Sequence, residues 1–91
     1  MRNDGGILVH EFSTHLLSAD GRHWTARAYA KQRGGDWIGW LAFVDDDGTE
    51  LLTERETTQP DRKAIDYWVS GLEPIYLDGA LHRALEPLPT R

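Results

Sequence analysis

Three turn signals constrain this chain more than any other feature: Ser18-Ala19-Asp20-Gly21, Arg33-Gly34-Gly35-Asp36 and Asp45-Asp46-Asp47-Gly48. Asp-Gly and Gly-Gly accept the positive φ of tight hairpins, so the chain reverses wherever they separate apolar-rich runs. The runs they bracket predict strands over 7–17, 22–32, 37–44 and 49–57. Such short connections make consecutive strands antiparallel neighbours, a four-stranded meander. At Gln59-Pro60 the pattern changes and becomes helical.

The second run alternates. Trp24, Ala26, Ala28 and Ala30 share one parity, and His23, Thr25, Arg27, Tyr29 and Lys31 the other. One apolar face at period two is a half-buried strand, and three alanines let another layer pack close. The third run is apolar on both faces, with Trp37, Leu41 and Phe43 on one side and Ile38, Trp40 and Val44 on the other. It reads as a central strand whose second face is also covered, by the chain itself or by a partner. In the first run Leu8, Phe12 and Leu16 have one parity and Ile7, Val9 and Leu17 the other, which predicts a bulge.

Thr58 is the expected cap of the first helix, with Pro60 in its first turn and Asp61 favourable at the positive end of the helix dipole. Ala64, Ile65, Trp68, Val69 and Leu72 form one stripe at helical spacing, and Ser70-Gly71 is the expected end. A second, shorter helix is expected over Tyr76 to Glu86, although Gly79 weakens it by about 1 kcal/mol relative to Ala. The fold expected is therefore α+β: a four-stranded antiparallel meander, one firm helix and one short C-terminal helix packed on one sheet face. One domain is expected over 1–91, with the sheet in 7–57, the helical part in 58–86 and flexible ends at 1–6 and 87–91.

Arg55-Glu56-Thr57-Thr58-Gln59-Pro60, then Tyr67-Trp68, Gly71-Leu72-Glu73-Pro74 and Tyr76-Leu77-Asp78-Gly79-Ala80-Leu81 form a recognisable unit. It resembles a group of short uncharacterised bacterial proteins with a RETTQP…YW…GLEP.YL.GAL pattern. The resemblance implies a bacterial source and a small free-standing protein. It carries over no activity, cofactor or catalytic residue.

Composition excludes several function classes. No Cys is present, so thiol catalysis, zinc-thiolate sites and disulfides are out. No apolar run is long enough for a signal peptide or a spanning helix, so a cytoplasmic location and no membrane partner are expected. The net charge of -5 disfavours a dedicated nucleic-acid binder. One stretch opposes that balance. Residues 22–33 hold Arg22, Arg27, Lys31 and Arg33 and no acid, a local +4. With Tyr29 on the same strand it is a basic, aromatic ribbon able to hold a nucleic-acid backbone.

No catalytic constellation emerges. Ser13, Ser18 and Ser70 lack a Gly-x-Ser-x-Gly elbow, and Glu54 and Glu56 read as solubilising acids on an edge strand. His10, His15, His23 and His82 lack ligand spacing. Asp45-Asp46-Asp47-Gly48 starts like a calcium loop but has Glu50 where such a loop needs Gly, so a hairpin turn is expected. No metal, cofactor or catalytic residue is assigned. Four Trp and three Tyr are instead a heavy aromatic load, and such residues dominate protein contacts. The expected function is a non-catalytic protein-interaction or regulatory module, with self-association as the simplest contact. The candidate contact residues are Trp40, Ile38, Tyr29, Arg27, Tyr67 and Tyr76. Nucleic-acid binding by the ribbon is the alternative, and small-molecule binding or a minor enzyme the third reading.

Overall fold

The computed structural model describes residues 5–86, so the expectation of flexible ends falls, apart from Gly5 and Gly6, outside the described residues. Six strands and two helices follow one another: β1 (Ile7–Glu11), β2 (Leu16–Leu17), β3 (His23–Arg33), β4 (Asp36–Asp45), β5 (Glu50–Leu52), β6 (Thr57–Gln59), α1 (Arg62–Ser70) and α2 (Pro74–Leu85). β1 and β2 both pair with β3, and β5 and β6 both pair with β4, every pairing antiparallel. The path is thus a four-stranded meander whose first and fourth strands are each interrupted. The protein is α+β, with both helices packed against the sheet.

The β3–β4 hairpin is the spine. Its register runs without a break from Trp24 opposite Asp45 to Arg33 opposite Asp36. Gly34 sits at the tip with φ 62, a conformation that costs glycine nothing and a Cβ-bearing residue considerably more.

Each interruption has a local cause. Leu8 pairs with Tyr29 and His10 with Ala28, so Val9 is an extra residue, the bulge the mixed parity predicts. Phe12 N–H still reaches the Ala26 carbonyl (2.9 Å), and the ladder resumes only at Leu16 opposite Trp24. On the other side Leu52 faces Ala42 and Thr57 faces Gly39. Thr53 N–H to Leu41 C=O (2.9 Å) and Glu56 N–H to Gly39 C=O (2.8 Å) tie down the ends of a bulge from which Glu54 and Arg55 project. The single strands expected over 7–17 and 49–57 are therefore each two shorter ones.

The start of α1 also differs from expectation. Thr57–Gln59 is a strand against Trp37–Gly39, which removes Thr58 from any capping role. Asp61 caps instead, its carboxylate accepting from the Ala64 N–H (2.8 Å). The residue before a proline prefers extended backbone, so Pro60 keeps Gln59 in the sheet and delays the helix. α2 exists and begins earlier than expected, with Pro74 in its first turn, where a missing N–H costs nothing.

Both helices cover one face. Trp24, Ala26 and Ala28 of β3 and Leu41 and Phe43 of β4 form the core with Val69 of α1 and Leu77, Ala80 and Leu81 of α2. Trp68 and Leu72 pack against this cluster, and Ile65 is fully buried. Among the described residues no helix is long and apolar enough to cross a membrane.

Candidate functional site

The sheet face turned away from the helices carries four of the six expected contact residues. Tyr29 lies opposite Trp40, Lys31 opposite Ile38, and Arg27 opposite Ala42. The Tyr29 and Trp40 rings stack at 6.2 Å and 14°. The sequence leaves the cover of this face open between the chain itself and a partner; in the structure Trp40 is 9% and Ile38 7% exposed within a single chain. β4 is flanked by β3 on one side and by β5 and β6 on the other. Arg27 is engaged as well, its Nε 3.0 Å from Glu11 Oε1.

The basic ribbon is not one face. Arg22 lies outside β3, and its guanidinium stacks 4.6 Å over the Trp24 ring, on the helix-covered side. Its Nε donates to Asp20 (2.8 Å) and its Nη1 to Asp45 (3.2 Å). Trp24 Nε1–H donates to Ser18 Oγ (2.9 Å), and Ser18 donates to Asp20. Asp45 also accepts from the Asp47 and Thr49 N–H groups (2.9 and 2.8 Å), closing the Asp45–Gly48 turn. Burial works to raise the Asp45 pKa, but the backbone donors and Arg22 outweigh it and hold the carboxyl below its ordinary value. Arg22 therefore fastens two turns together. Arg27, Lys31 and Arg33 share the opposite parity, with Arg33 exposed beside the hairpin tip.

One cluster has no counterpart in the sequence reading. The Glu56 carboxylate, 5% exposed, takes a two-pronged contact from Arg83 of α2 (Nη1–Oε2 2.9 Å, Nη2–Oε1 3.2 Å) and the hydroxyl hydrogen bond of Tyr76. Glu54 and Glu56 are thus not a pair of solubilising acids: the bulge projects the first and turns the second under α2. Burial pushes the Glu56 pKa up, and the Arg83 and Tyr76 hydrogen bonds outweigh it, so the net shift is downward. A carboxyl lowered by folding stabilises the protein above its unfolded pKa, and that stability is lost as pH falls through the folded value. Arg83→Met removes the dominant compensation and leaves the burial. The variant is expected to lose about 2 kcal/mol at neutral pH. Its deficit relative to the parent should shrink as pH falls through the carboxylate range. Denaturant titrations from pH 7 to pH 3 measure this, and a deficit that stays constant with pH would remove the ion pair from the argument.

Catalytic and metal-binding geometry does not assemble. His10, Asp66 and Ser70 line one cleft between β1 and α1, the right residue types for nucleophilic chemistry. Yet Ser70 Oγ donates to the Tyr67 carbonyl (2.7 Å), and Asp66 accepts from Arg62 (3.3 Å). Neither serves the histidine, so no nucleophile–base pair exists there. His82 lies 3.7 Å from Asp78 one helical turn away. Among the described residues no three His, Asp or Glu side chains converge on a point that would hold a metal ion.

The remaining contact candidates lie on the helices. Tyr67 is 82% exposed on the side of α1 away from the core, and Tyr76 is partly exposed beside Glu56. Ile75, absent from the sequence-derived set, is 81% exposed in the first turn of α2. The six expected residues therefore fall into two groups: Trp40, Ile38, Tyr29 and Arg27 on the open sheet face, and Tyr67 and Tyr76 on the helical layer. Comparison with family models, with curated proteins and with solved structures returns no match.

Proposed function

We propose that this is a small cytosolic bacterial protein that acts without catalysis, by binding another protein or a second copy of itself. The observation that carries the reading is the exposure of Tyr67 and Ile75 in a fold that buries or half-buries all four of its tryptophans. Both residues flank the short α1–α2 connection, Gly71–Glu73. Ile7, Leu8 and Leu17 are exposed as well, at 42–58%, but Tyr67 and Ile75 are the most exposed large apolar side chains among the described residues, and apolar area left in water beside a helix connection marks a contact surface. Tyr67 and Tyr76 are retained from the sequence-derived set, and Trp40 and Ile38 become supports of the fold.

The double variant Tyr67→Glu/Ile75→Glu tests this. Both side chains are solvated, so its melting temperature is expected within a few degrees of the parent. Association, read by sedimentation for self-contact and by affinity capture from the native cell for a partner, is expected to be lost. An unchanged assembly would overturn the helical patch as the contact. A retarded band with labelled DNA or RNA at low salt, lost in Arg27→Glu/Lys31→Glu, would overturn the protein-binding reading in favour of the ribbon.

A further inference from the structure

β1 is an edge strand: among the described residues it is hydrogen-bonded to β3 on one side and to no strand on the other. Phe12 N–H is bonded to Ala26 C=O, so in the antiparallel ladder the preceding residue, Glu11, turns its own N–H and C=O outward. A cleft of about 360 Å³ opens between this strand and the flank of α1. Val9 and Phe12 on the strand side and Val69 and Leu72 on the helix side give it apolar walls, His10 and Ser70 add polar groups, and Asp66, which also accepts from Arg62, is the one carboxylate lining it. Strand edge, apolar walls and a neighbouring helix are the parts from which sheet augmentation by an extended peptide is built: the main chain supplies affinity and alternate side chains supply selectivity.

We propose that this cleft takes an extended segment of another protein, added as a strand to β1, with apolar residues at alternate positions and a basic residue against Asp66. Charge decides between occupants. Arg62 contacts only Oδ1 of Asp66, at 3.3 Å, and leaves this side chain 56% exposed, so the lining acid and the net charge of -5 favour a basic partner. A second copy would offer Ile7-Leu8-Val9-His10-Glu11, which contains an acid and no Lys or Arg, on a chain that repels its own kind. The proposal deepens the protein-binding reading by naming a partner's chemistry, and it rests on that reading.

An end-blocked octapeptide of alternating valine and lysine is the probe. Backbone amide shifts of the isotope-labelled full chain are expected at Val9, Glu11 and Asp66, with slowed exchange of the Glu11 amide. N-methylation of alternate peptide amides is expected to weaken binding at least tenfold, because those groups would pair with β1. The valine–glutamate analogue should bind at least tenfold more weakly. Asp66→Lys, an exposed substitution on α1, should reverse that preference. Glu11→Pro, which removes an N–H the fold does not use, should lose the peptide while its melting temperature tracks that of Glu11→Ala. Equal affinity for the N-methylated peptide, shifts confined to Glu50–Leu52, or β1 shifts that grow with protein concentration alone would each overturn the proposal. If the peptide fails while Tyr67→Glu/Ile75→Glu still loses its partner, the cleft assignment falls and the protein-binding reading stands.

Discussion

Trp40→Glu is expected to abolish the cooperative thermal transition or lower its midpoint by at least about 20 °C. Removing a buried indole costs about 3–5 kcal/mol. Placing a carboxylate where the native ring is 9% exposed adds the cost of taking a charge out of water, a few kcal/mol more. A chain of 91 residues has about 5–14 kcal/mol in total, so little or nothing is left. The control is Trp40→Phe, which keeps an aromatic ring to stack on Tyr29 and should fold. The contrast is Tyr67→Glu, which puts the same charge into water and should be nearly silent. The measurement is thermal melting followed by circular dichroism, with sedimentation on the same samples. A folded Trp40→Glu that merely sheds a subunit would reinstate the open sheet face as a self-association surface.

The particulars of Trp40 show how far the sequence could be read. Parity placed it with Ile38 and Val44 and opposite to Leu41 and Phe43, and the register agrees. Parity cannot say how much of a face is covered, because cover depends on which strands flank β4 and how the side chains on them lean. The turns were legible because Asp-Gly and Gly-Gly act locally. The helical stripe was legible because its period is local too. What was not legible is whatever depends on counting residues across a ladder. Mixed parity announces the bulge in the first run, but where the first and fourth strands break is visible only once Ala26 and Gly39 are known to hold their partners. Thr58 and Asp61 are both competent caps, and the choice between them was made by β4, which claims Thr57–Gln59 as a strand. Glu56 and Arg83 stand 27 positions apart, and no periodicity connects a bulge to the last turns of a later helix. The contact candidates divided in the same way: Tyr67 stands opposite a stripe that the sequence displays, whereas Ile75 is set by where α2 begins.

A second large effect is expected at the crossing of α1 and β4, where the Trp68 ring lies on Gly39. A Cβ built on Gly39 would meet Trp68 Cζ3 at 2.8 Å and Cη2 at 3.3 Å, and Thr57 Cγ2 at 3.1 Å. Glycine in mid-strand is normally a small liability, about 0.5–1 kcal/mol relative to alanine. Here it is the condition for the helix to seat, so Gly39→Ala should destabilise by about 1–3 kcal/mol, the range of overpacking. Trp68→Ala should cost about 3 kcal/mol, the lower end for a large aromatic, because the ring is half-buried. The informative result is the double variant. With the indole gone the methyl at position 39 loses its worst contact and retains only Thr57, so Gly39→Ala should cost at least about 1 kcal/mol less in that background than alone. Denaturant unfolding of the four proteins in the cycle measures the coupling directly. Strictly additive costs would mean that the alanine at 39 is resisted by Thr57 and the strand rather than by the helix. In that case the seating of α1 on the sheet, and with it the cleft wall formed by Val69 and the outward aim of Tyr67, would need another anchor.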